Sequence, residues 1–355
     1  MTPDLGMIEG RFGPVWRWPA RTQVMTTLAG AGYRFYHYGP KADRHLRRSW
    51  REAHPPEQGA ALARFGAECR AARMRFGIAL TPKGATHPFD AAARADLARR
   101  LADFDAIGID DLAILFDDLR GDLPELAEQQ AALVDFCTQH SRATRFYFCP
   151  TYYSSDPVLD RVFGARPPAY LETLGRRLDP AIRVYWTGEE VCAREITPGH
   201  LRHVAEQLGR PPCLWDNYPV NDGARMSRFL HLRAFTGRPA SLAPLLSGHA
   251  INPALQPLLG CLPALTLPMS YAQGDDYRYG DALAAAARAL FGAPLAEMII
   301  DDLLLLNDTG HDRLGAHAAR LRARYAALDH PAAAEIVRWL DGADIMAEGA
   351  VETEA

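Results

Sequence analysis

The sequence predicts a (β/α)8 barrel with a small C-terminal helical appendage. The chain has 355 residues, of which 48% are hydrophobic, so it can bury a large core. Short β-rich runs alternate with longer segments of helical periodicity, which is typical of a parallel sheet covered by helices. Eight such units fit within residues 1–270, close to the roughly 250 residues that this barrel usually needs.

The predicted strands are short runs rich in β-branched and aromatic residues, and polar or turn-forming residues follow them. Each one is followed by a helix-patterned segment, so the strands are expected to run parallel. The eight runs are Leu5–Glu9, Tyr33–Tyr38, Arg75–Thr81, Asp111–Phe116, Thr144–Cys149, Ile182–Trp186, Cys213–Trp215 and Ser247–Ile251.

Helical periodicity marks the segments between these strands. Several of them open with Pro or Asp and close at Gly, as helix ends prefer. A seventh helix, Ala224–Phe235, is shorter and weaker, and prolines are expected to break the eighth, Pro253–Leu265. The six clear helices are Arg21–Ala31, Pro56–Arg73, Asp90–Ile107, Pro124–Ser141, Pro168–Leu178 and Pro198–Leu208.

The residues after the barrel change in composition and predict a C-terminal helical region over 271–346. They are rich in Ala and Leu, and no strand pattern interrupts them. The last residues, 347–355, are acidic and are expected to form a disordered tail. The predicted helices of this region are Asp281–Phe291, Leu295–Leu306, His311–Leu328 and Ala332–Leu340.

Charge and hydropathy exclude several classes of partner. The formal net charge is -4, and Lys and Arg are spread along the chain, so nucleic acid is not predicted as a partner. The longest apolar stretch, Met298–Leu306, contains Asp301 and Asp302, and no basic segment followed by an apolar one opens the chain. We therefore predict no membrane span and a cytoplasmic location. The sequence leaves the oligomeric state open, with a homodimer as one option.

No motif for a metal or a nucleotide cofactor is present. The six cysteines form no CxxC pair, and no His-x-His motif follows the first strand. The segment Gly30-Ala31-Gly32 lacks the third glycine of a dinucleotide loop, and no GxxxxGK[ST] occurs. We expect neither a bound metal nor an organic cofactor.

Polar residues gather where the predicted strands end, which is where barrel enzymes carry their chemistry. The chain has four Asp-Asp pairs, but only Asp117-Asp118 directly follows a clean strand. A turn-capping role for Asp118 is the alternative to a catalytic one. Carboxylates and amides suit sugar hydroxyls, and aromatic rings suit the apolar face of a sugar, so the set predicts a carbohydrate pocket. The other members include Lys41, Cys149, Tyr153, Thr187, Trp215, Asn217, Asp222 and Asn252.

Seven stretches in a fixed order resemble the family 84 glycoside hydrolases, which comprise the O-GlcNAcases and related bacterial β-N-acetylglucosaminidases. They cover the whole predicted barrel. The stretches are GMIEGRFGPVW (6–16), YHYGPKADRHLRRSWR (36–51), LFDDL (115–119), FCPTYY (148–153), WTG (186–188), WDNYPVND (215–222) and SGHAINP (247–253).

This resemblance implies an exo-acting, retaining β-N-acetylglucosaminidase that works by substrate assistance. In that mechanism the 2-acetamido oxygen of the sugar attacks the anomeric carbon and an oxazoline forms, so no protein nucleophile is needed. By motif position, Asp117 would polarise the acetamido group and take its N–H proton, while Asp118 would act as acid and then as base. Adjacent strand residues face opposite sides, so we expect the strand to end at Asp117.

The resemblance also implies the residues that bind the substrate, an N-acetylglucosamine-containing glycoconjugate. Gly6, through its backbone, together with Lys41, Asp222 and Asn252, would hold the sugar hydroxyls, and Asn217 would bond within the site. The residues that would shape the pocket for the acetyl methyl group are Tyr153, Trp215, Thr187 and Cys149.

Two positions depart from the family pattern. Arg11 stands in Glu-Gly-Arg-Phe-Gly where the family has Glu-Gly-Phe-Tyr-Gly, and Tyr152 stands in Thr-Tyr-Tyr where it commonly has Thr-Glu-Tyr. Both bear on the surroundings of the leaving group, which the sequence leaves open as a protein Ser or Thr, a glycan or a cell-wall fragment. A hexosaminidase for hyaluronan-like polymers and a non-catalytic carbohydrate-binding relative are the alternatives.

Overall fold

A computed structural model describes residues 2–85 and 89–349, and it contains a closed barrel of eight parallel strands. Each strand pairs with the next along the chain, and β8 pairs with β1 to close the ring. The predicted fold class is therefore confirmed. The strands are β1 Leu5–Glu9, β2 Phe35–Tyr38, β3 Arg75–Leu80, β4 Asp111–Leu115, β5 Arg145–Cys149, β6 Arg183–Trp186, β7 Cys213–Asp216 and β8 Gly248–Ile251.

Helices cover the outside of the barrel and continue beyond it. Short 3-10 turns occur at Arg44–Leu46, Ala240–Leu245, Gly274–Asp276 and His311–Arg313. The α-helices of the described residues are α1 Trp18–Gly30, α2 Pro56–Ala71, α3 Ala91–Ile107, α4 Leu126–His140, α5 Val158–Phe163, α6 Tyr170–Arg177, α7 Pro198–Leu208, α8 Gly223–Met226, α9 Pro257–Gln273, α10 Tyr279–Phe291, α11 Ala293–Asp301, α12 Ala316–Ala326 and α13 Pro331–Leu340.

The ends of α3 and α7 carry the residues by which helix ends are recognised in a sequence, a polar cap at the start and a glycine at the end. The Asp90 side chain accepts a hydrogen bond of 2.8 Å from the Ala93 N–H, and Thr197 caps α7 in the same way. Both helices end at a glycine in the left-handed region, Gly108 with φ 80° and Gly209 with φ 64°. The side-chain caps satisfy N–H groups that lack a partner within the helix, and glycine adopts the left-handed end without strain.

The seventh and eighth helix predictions are wrong in extent. The seventh is reduced to the four-residue α8 and is followed by irregular chain. The eighth, α9, is continuous although it contains Pro263 and Pro268. A proline removes the hydrogen bond to the carbonyl four residues earlier. For Pro268 that carbonyl belongs to Ala264, and it accepts a bond of 2.8 Å from the Tyr33 hydroxyl instead.

The C-terminal helices pack on α9 and form a second apolar core. Leu259 and Leu262 of α9 belong to this second core, whereas Cys261 and Leu267 belong to the barrel core, so α9 is shared. The predicted boundary between the barrel and the C-terminal region, at residue 270, falls in the last turn of α9. This boundary stays a prediction. Of the tail predicted over 347–355, residues 350–355 lie outside the described residues.

Two helices of this region are shorter than predicted. The segment predicted as Leu295–Leu306 is divided into α11, which ends at Asp301, and a π-helical turn at Leu304–Thr309. The segment predicted to start at His311 begins as a 3-10 turn, and α12 starts only at Ala316, after Gly315 with φ 53°. Within the described residues, the apolar helices are too short or too polar to cross a bilayer.

Glu335 of α13 joins the C-terminal region to the start of α9. Its carboxylate accepts bonds from the Leu258 N–H at 3.0 Å and the Leu259 N–H at 2.9 Å, both of which belong to the first turn of α9. These N–H groups have no partner within the helix, and the helix dipole favours a negative charge there. Burial raises the pKa of Glu335 to about 7.

We predict that Glu335→Ala lowers the free energy of unfolding by about 1–3 kcal/mol, because two partly buried N–H groups lose their acceptor. Chemical denaturation followed by tryptophan fluorescence would measure the change. Glu335→Gln keeps one acceptor oxygen and is the matched control, which should lose less. Equal stability of the alanine variant and the parent would contradict the proposed connection.

Candidate active site

A cavity of about 230 Å³ opens at the carboxyl ends of the barrel strands. It is smaller than the roughly 300–1,000 Å³ of pockets for drug-sized ligands, so it fits one small ring better than a chain of them. The residues that line it come from six of the eight strand ends. They are Gly10, Phe12, Asp117, Asp118, Cys149, Tyr153, Thr187, Val191, Cys192, Trp215, Asn217, Val220, Asp222 and Asn252.

The backbone after β4 brings both aspartates to this cavity. The strand ends at Leu115, two residues earlier than predicted, although the Phe116 N–H still bonds to the Cys149 carbonyl at 2.9 Å. Asp118 has φ 58°, in the left-handed region that non-glycine residues seldom adopt. The expected stop at Asp117 is thus wrong by two residues, because the chain leaves the pleat before the first aspartate.

Asp117 forms an ion pair with Lys41 through Oδ2. Its other oxygen, Oδ1, is buried and has no hydrogen-bond partner among the described residues. A buried carboxylate oxygen without a donor is costly. Asp117 therefore offers an acceptor that a bound ligand can use, and the ammonium of Lys41 stabilises its charge.

Asp118 experiences a different environment from its neighbour. Its Oδ2 lies 3.8 Å from the Lys41 Nζ, and its Oδ1 accepts a bond of 3.3 Å from the Tyr153 hydroxyl. Burial raises the pKa of Asp118 to about 6; Lys41 opposes this shift, and the nearby charge of Asp117 adds to it. The pair therefore combines an ion-paired carboxylate with a carboxyl group that holds its proton up to mildly acidic pH.

The opposite wall of the cavity carries one acid and two amides. Asp222 accepts a bond of 2.7 Å from the Phe12 N–H through Oδ2, and burial raises its pKa. Asn252 accepts a bond of 3.3 Å from the Gly10 N–H. Both side chains thus fix the chain after β1, and their remaining polar atoms can serve ligands that carry hydroxyl groups.

Asn217 holds several neighbouring groups together. Its Oδ1 accepts from the Trp215 indole N–H at 3.0 Å and from the Asn252 amide at 3.1 Å. Its own amide donates to the Val191 carbonyl at 2.8 Å. These bonds fix which end of the Asn217 amide carries the oxygen. Asn217 therefore orients Trp215 and Asn252 in the cavity wall.

The less polar part of the wall consists of Cys149, Tyr153, Thr187 and Trp215. Burial raises the pKa of the Cys149 thiol well above its usual range, so this cysteine behaves as a neutral, apolar group. The Thr187 N–H bonds to the Tyr153 carbonyl at 2.9 Å, which couples the ends of β5 and β6. All four of these residues were predicted as site residues, and the structure brings them together.

A buried ion pair behind the cavity fixes the loop after β6. Asp216 receives two bonds from the Arg238 guanidinium, at 2.7 and 2.8 Å, and the pKa of Asp216 is held at about 2. Arg238 also donates to the carbonyls of Ala193 and Arg194, each at 2.7 Å. The loop that supplies Val191 and Cys192 is therefore fixed to β7.

Gly6 is the one predicted site residue that the structure does not bring near the cavity. It lies within β1, between Phe35 of β2 and Ala250 of β8, so its backbone belongs to the sheet. A Cβ at Gly6 would lie 2.2 Å from the Phe35 ring. The glycine that lines the cavity is Gly10, which follows β1 directly. In this barrel the functional residues directly follow the strands, and that criterion would have selected Gly10 within the same motif.

The two departures from the family pattern lie outside the cavity lining. Arg11 is buried, stacks on the Trp16 ring at 5.0 Å and donates to the Phe12 carbonyl. Tyr152 is also buried, and its hydroxyl donates to the Gly164 carbonyl at 2.6 Å. Arg11 thus supports the backbone of the loop after β1, which borders the site, whereas Tyr152 bonds to the residue that follows α5.

Sequence reasoning missed five lining residues. Phe12 and Val220 lie inside the family-like stretches, but apolar side chains give no polar signal. Val191 and Cys192 lie in a loop whose position depends on Arg238, a contact that sequence spacing does not reveal. The five residues are Gly10, Phe12, Val191, Cys192 and Val220.

Among the described residues, His, Cys, Asp and Glu form no cluster suited to a metal ion.

The barrel and the paired carboxylates at its mouth define a (β/α)8 protein of the glycoside hydrolase class. A family model described as beta-N-acetylglucosaminidase matches residues 5–303, which is most of the chain. The chain therefore belongs to the β-N-acetylglucosaminidase family, family 84 of the glycoside hydrolases. The resemblance in the seven sequence stretches is thereby confirmed.

Similar proteins are found by sequence and by structure. The chain is 30% identical over 258 residues to Protein O-GlcNAcase of Mus musculus and, equally, to that of Rattus norvegicus. The match covers 70% of this chain but only 28% of those two proteins. A solved structure of a point mutant of the Thermobaculum terrenum O-GlcNAc hydrolase has a TM-score of 0.78 and 26% identity. That alignment covers 95% of this chain and 80% of the bacterial one.

We predict that Asp118→Asn stabilises the protein in a pH-dependent manner. The pKa of Asp118 is raised above its unfolded value, so its ionisation opposes folding increasingly as the pH rises through 6. The gain in free energy of unfolding should be small near about pH 4 and reach about 1–3 kcal/mol by about pH 7.5. Thermal melts across this range would measure it.

Asp117→Asn is the matched control, because it removes the partner of Lys41 and should destabilise. An Asp118→Asn gain that does not vary with pH would contradict the assigned pKa shift.

Proposed function

We propose that the protein is an exo-acting, retaining β-N-acetylglucosaminidase whose substrate supplies its own nucleophile. One observation carries this proposal: two adjacent carboxylates face one small cavity, where Asp117 is paired with Lys41 and Asp118 has a raised pKa. In retaining enzymes with a protein nucleophile, two carboxyl groups lie about 5–5.5 Å apart across the sugar. Here Asp117 and Asp118 follow each other in the chain and share Lys41, which suits joint action on one side of the sugar.

Asp117 would act on the acetamido group. Its unpaired Oδ1 would accept the acetamido N–H, while Oδ2 stays with Lys41. Taking up this proton increases the negative charge on the acetamido oxygen, which then attacks the anomeric carbon to give the oxazoline. Fixing the group beneath that carbon converts the attack into an intramolecular reaction, which can contribute several kcal/mol, up to about 7–11 in well-oriented systems.

Asp118 would protonate the glycosidic oxygen as the leaving group departs. Its raised pKa of about 6 keeps a proton available at mildly acidic pH, and the Tyr153 hydroxyl orients the carboxyl group. After departure, the Asp118 carboxylate would take a proton from the incoming water. The water oxygen then bonds to the anomeric carbon as the oxazoline C–O bond there breaks, Asp117 returns its proton to the acetamido nitrogen, and the β configuration is retained.

The rest of the cavity would hold the sugar. Asp222 and Asn252 carry acceptors and donors for sugar hydroxyls, and Trp215 offers an aromatic wall for the ring face. Tyr153, Thr187 and the neutral Cys149 would surround the acetyl methyl group. The cavity volume of about 230 Å³ supports removal of one terminal sugar rather than cleavage within a chain.

We infer that the substrate is an O-GlcNAc-modified protein and that the leaving group is its Ser or Thr hydroxyl, since the matched relatives are named for O-GlcNAc hydrolysis. A hexosaminidase acting on hyaluronan-like or cell-wall glycans is the alternative. A non-catalytic carbohydrate-binding relative is disfavoured by the raised pKa of Asp118 beside the ion-paired Asp117. A cytoplasmic location and a homodimer stay predictions from the sequence.

The acetamido requirement gives a direct test. The enzyme should release 4-nitrophenol from 4-nitrophenyl β-N-acetylglucosaminide, and the corresponding β-glucoside should react at least about 1,000-fold more slowly in kcat/KM. The two substrates share a leaving group, so the ratio isolates the acetamido contribution. Comparable rates would overturn the mechanism, and no release from either substrate would overturn the activity.

Substitutions at the two aspartates should have different kinetic signatures. Asp118→Ala should lose about 100–10,000-fold in kcat/KM with a poor leaving group such as phenol, and much less with a dinitrophenol that needs no proton. Asp117→Asn should slow both substrates by similar factors, because the attacking group loses its orientation. Steady-state kcat/KM values for both substrates would measure this. If both variants keep the parent rates, the two roles are wrongly assigned.

A further inference from the structure

A second cleft of about 310 Å³ lies beside the catalytic cavity, and its charged lining residues are all basic. Four cationic side chains line it, and no carboxylate occurs among the described residues of its lining. The whole chain has a net charge of -4, so this is a local feature and not a reflection of overall composition. The residues of this basic cleft are Phe12, Gly13, Lys41, Ala42, Arg44, Arg47 and Arg48.

The basic cleft adjoins the catalytic cavity through two residues. Phe12 lines both spaces, and Lys41 lines the cleft while its ammonium pairs with Asp117. The Arg47 guanidinium lies over the Phe12 ring, 5.5 Å from its centroid. A molecule bound in the catalytic cavity can therefore extend into the cleft past Phe12.

The cleft lies on the side of the cavity where the leaving group departs. Asp118, the proposed acid, must sit next to the glycosidic oxygen, and its Oδ2 lies 3.8 Å from the Nζ of Lys41, which lines the cleft. A leaving group bonded to that oxygen is thus close to the cleft. The exposed side chains of Arg44 and Arg48 extend the positive charge toward solvent, and Arg44 also pairs with the exposed Glu52 at 3.0 Å.

We propose that the basic cleft binds a carboxylate on the leaving group, so that the enzyme prefers O-GlcNAc peptides with acidic residues next to the modified serine. The inference rests on the proposed hydrolase function and names its substrate class. Arginine side chains recognise carboxylates by paired hydrogen bonds, and a cleft lined with one sign of charge concentrates ligands of the opposite sign. The neutral 4-nitrophenyl group does not use this contact.

The test compares two synthetic glycopeptides that carry one O-GlcNAc-serine and differ by Glu or Gln at a neighbouring position, scanned through the positions on either side. Both release the same serine hydroxyl, so leaving-group acidity is matched. We expect kcat/KM to favour the Glu peptide by about three- to tenfold at the best position. The ratio should fall with added salt, as the Debye length drops from about 10 Å at 0.1 M to about 3 Å at 1 M.

Two variants assign the preference to the cleft. Arg48→Gln and Arg44→Gln should each bring the Glu-to-Gln ratio toward one. Arg51→Gln is the matched control, since Arg51 is an exposed arginine that pairs with Asp96 and does not line the cleft. Each ratio compares two substrates on one sample of enzyme. Partial unfolding of a variant therefore lowers both rates by the same factor and leaves the ratio unchanged.

The outcomes are distinct. A ratio near one at all positions, or a ratio that both cleft variants retain, would overturn the inference. The peptide assignment would be overturned by a different pattern of kcat/KM values. In that pattern the two glycopeptides react equally, and a β-1,4-linked disaccharide with a carboxylate on its reducing sugar reacts faster than its uncharged counterpart. Absence of hydrolysis of 4-nitrophenyl β-N-acetylglucosaminide would instead reject the proposed function itself.

Discussion

The site depends on where β4 ends. If the strand continued, neighbouring side chains would point to opposite faces of the sheet, and only one aspartate could reach the cavity. The chain instead leaves the strand after Leu115, and Asp118 takes a left-handed conformation with φ 58°. Such a conformation costs a non-glycine residue roughly 1–2 kcal/mol. Contacts of the pair with Lys41 and Tyr153 help to offset this cost.

The same turn determines the electrostatics of the pair. One ammonium group, that of Lys41, lies near both carboxyl groups, and it pairs with Asp117 more closely than with Asp118. Asp118 is buried and lies beside the negative charge of Asp117, and both effects raise the pKa of Asp118. Position alone thus gives Asp117 a close ion pair with Lys41 and gives Asp118 a raised pKa.

Hydrogen bonds from behind the cavity make the arrangement rigid. Asn217 fixes the orientation of Trp215 and Asn252, and the Asp216–Arg238 pair fastens the loop that carries Val191. Most of these supporting groups lie on or directly after strands, so the barrel determines their spacing. A site supported in this way needs little rearrangement when ligand binds, which is the condition for effective positioning.

The sequence alone determined the eight-stranded barrel and most of the site, because strand and helix periodicities are local and polar residues at strand ends must converge in a closed barrel. Tertiary structure decided the remainder. The Tyr33 hydroxyl bonds to the Ala264 carbonyl that Pro268 leaves without its helical donor, a contact between residues 231 apart in the chain that no local pattern records. Sheet packing against Phe35 and Ala250 removes Gly6 from the site and leaves Gly10 at the cavity. The protonation of Asp118 and the basic cleft likewise arise from residues that only the folded chain brings together, since burial and long-range charge are properties of three-dimensional packing.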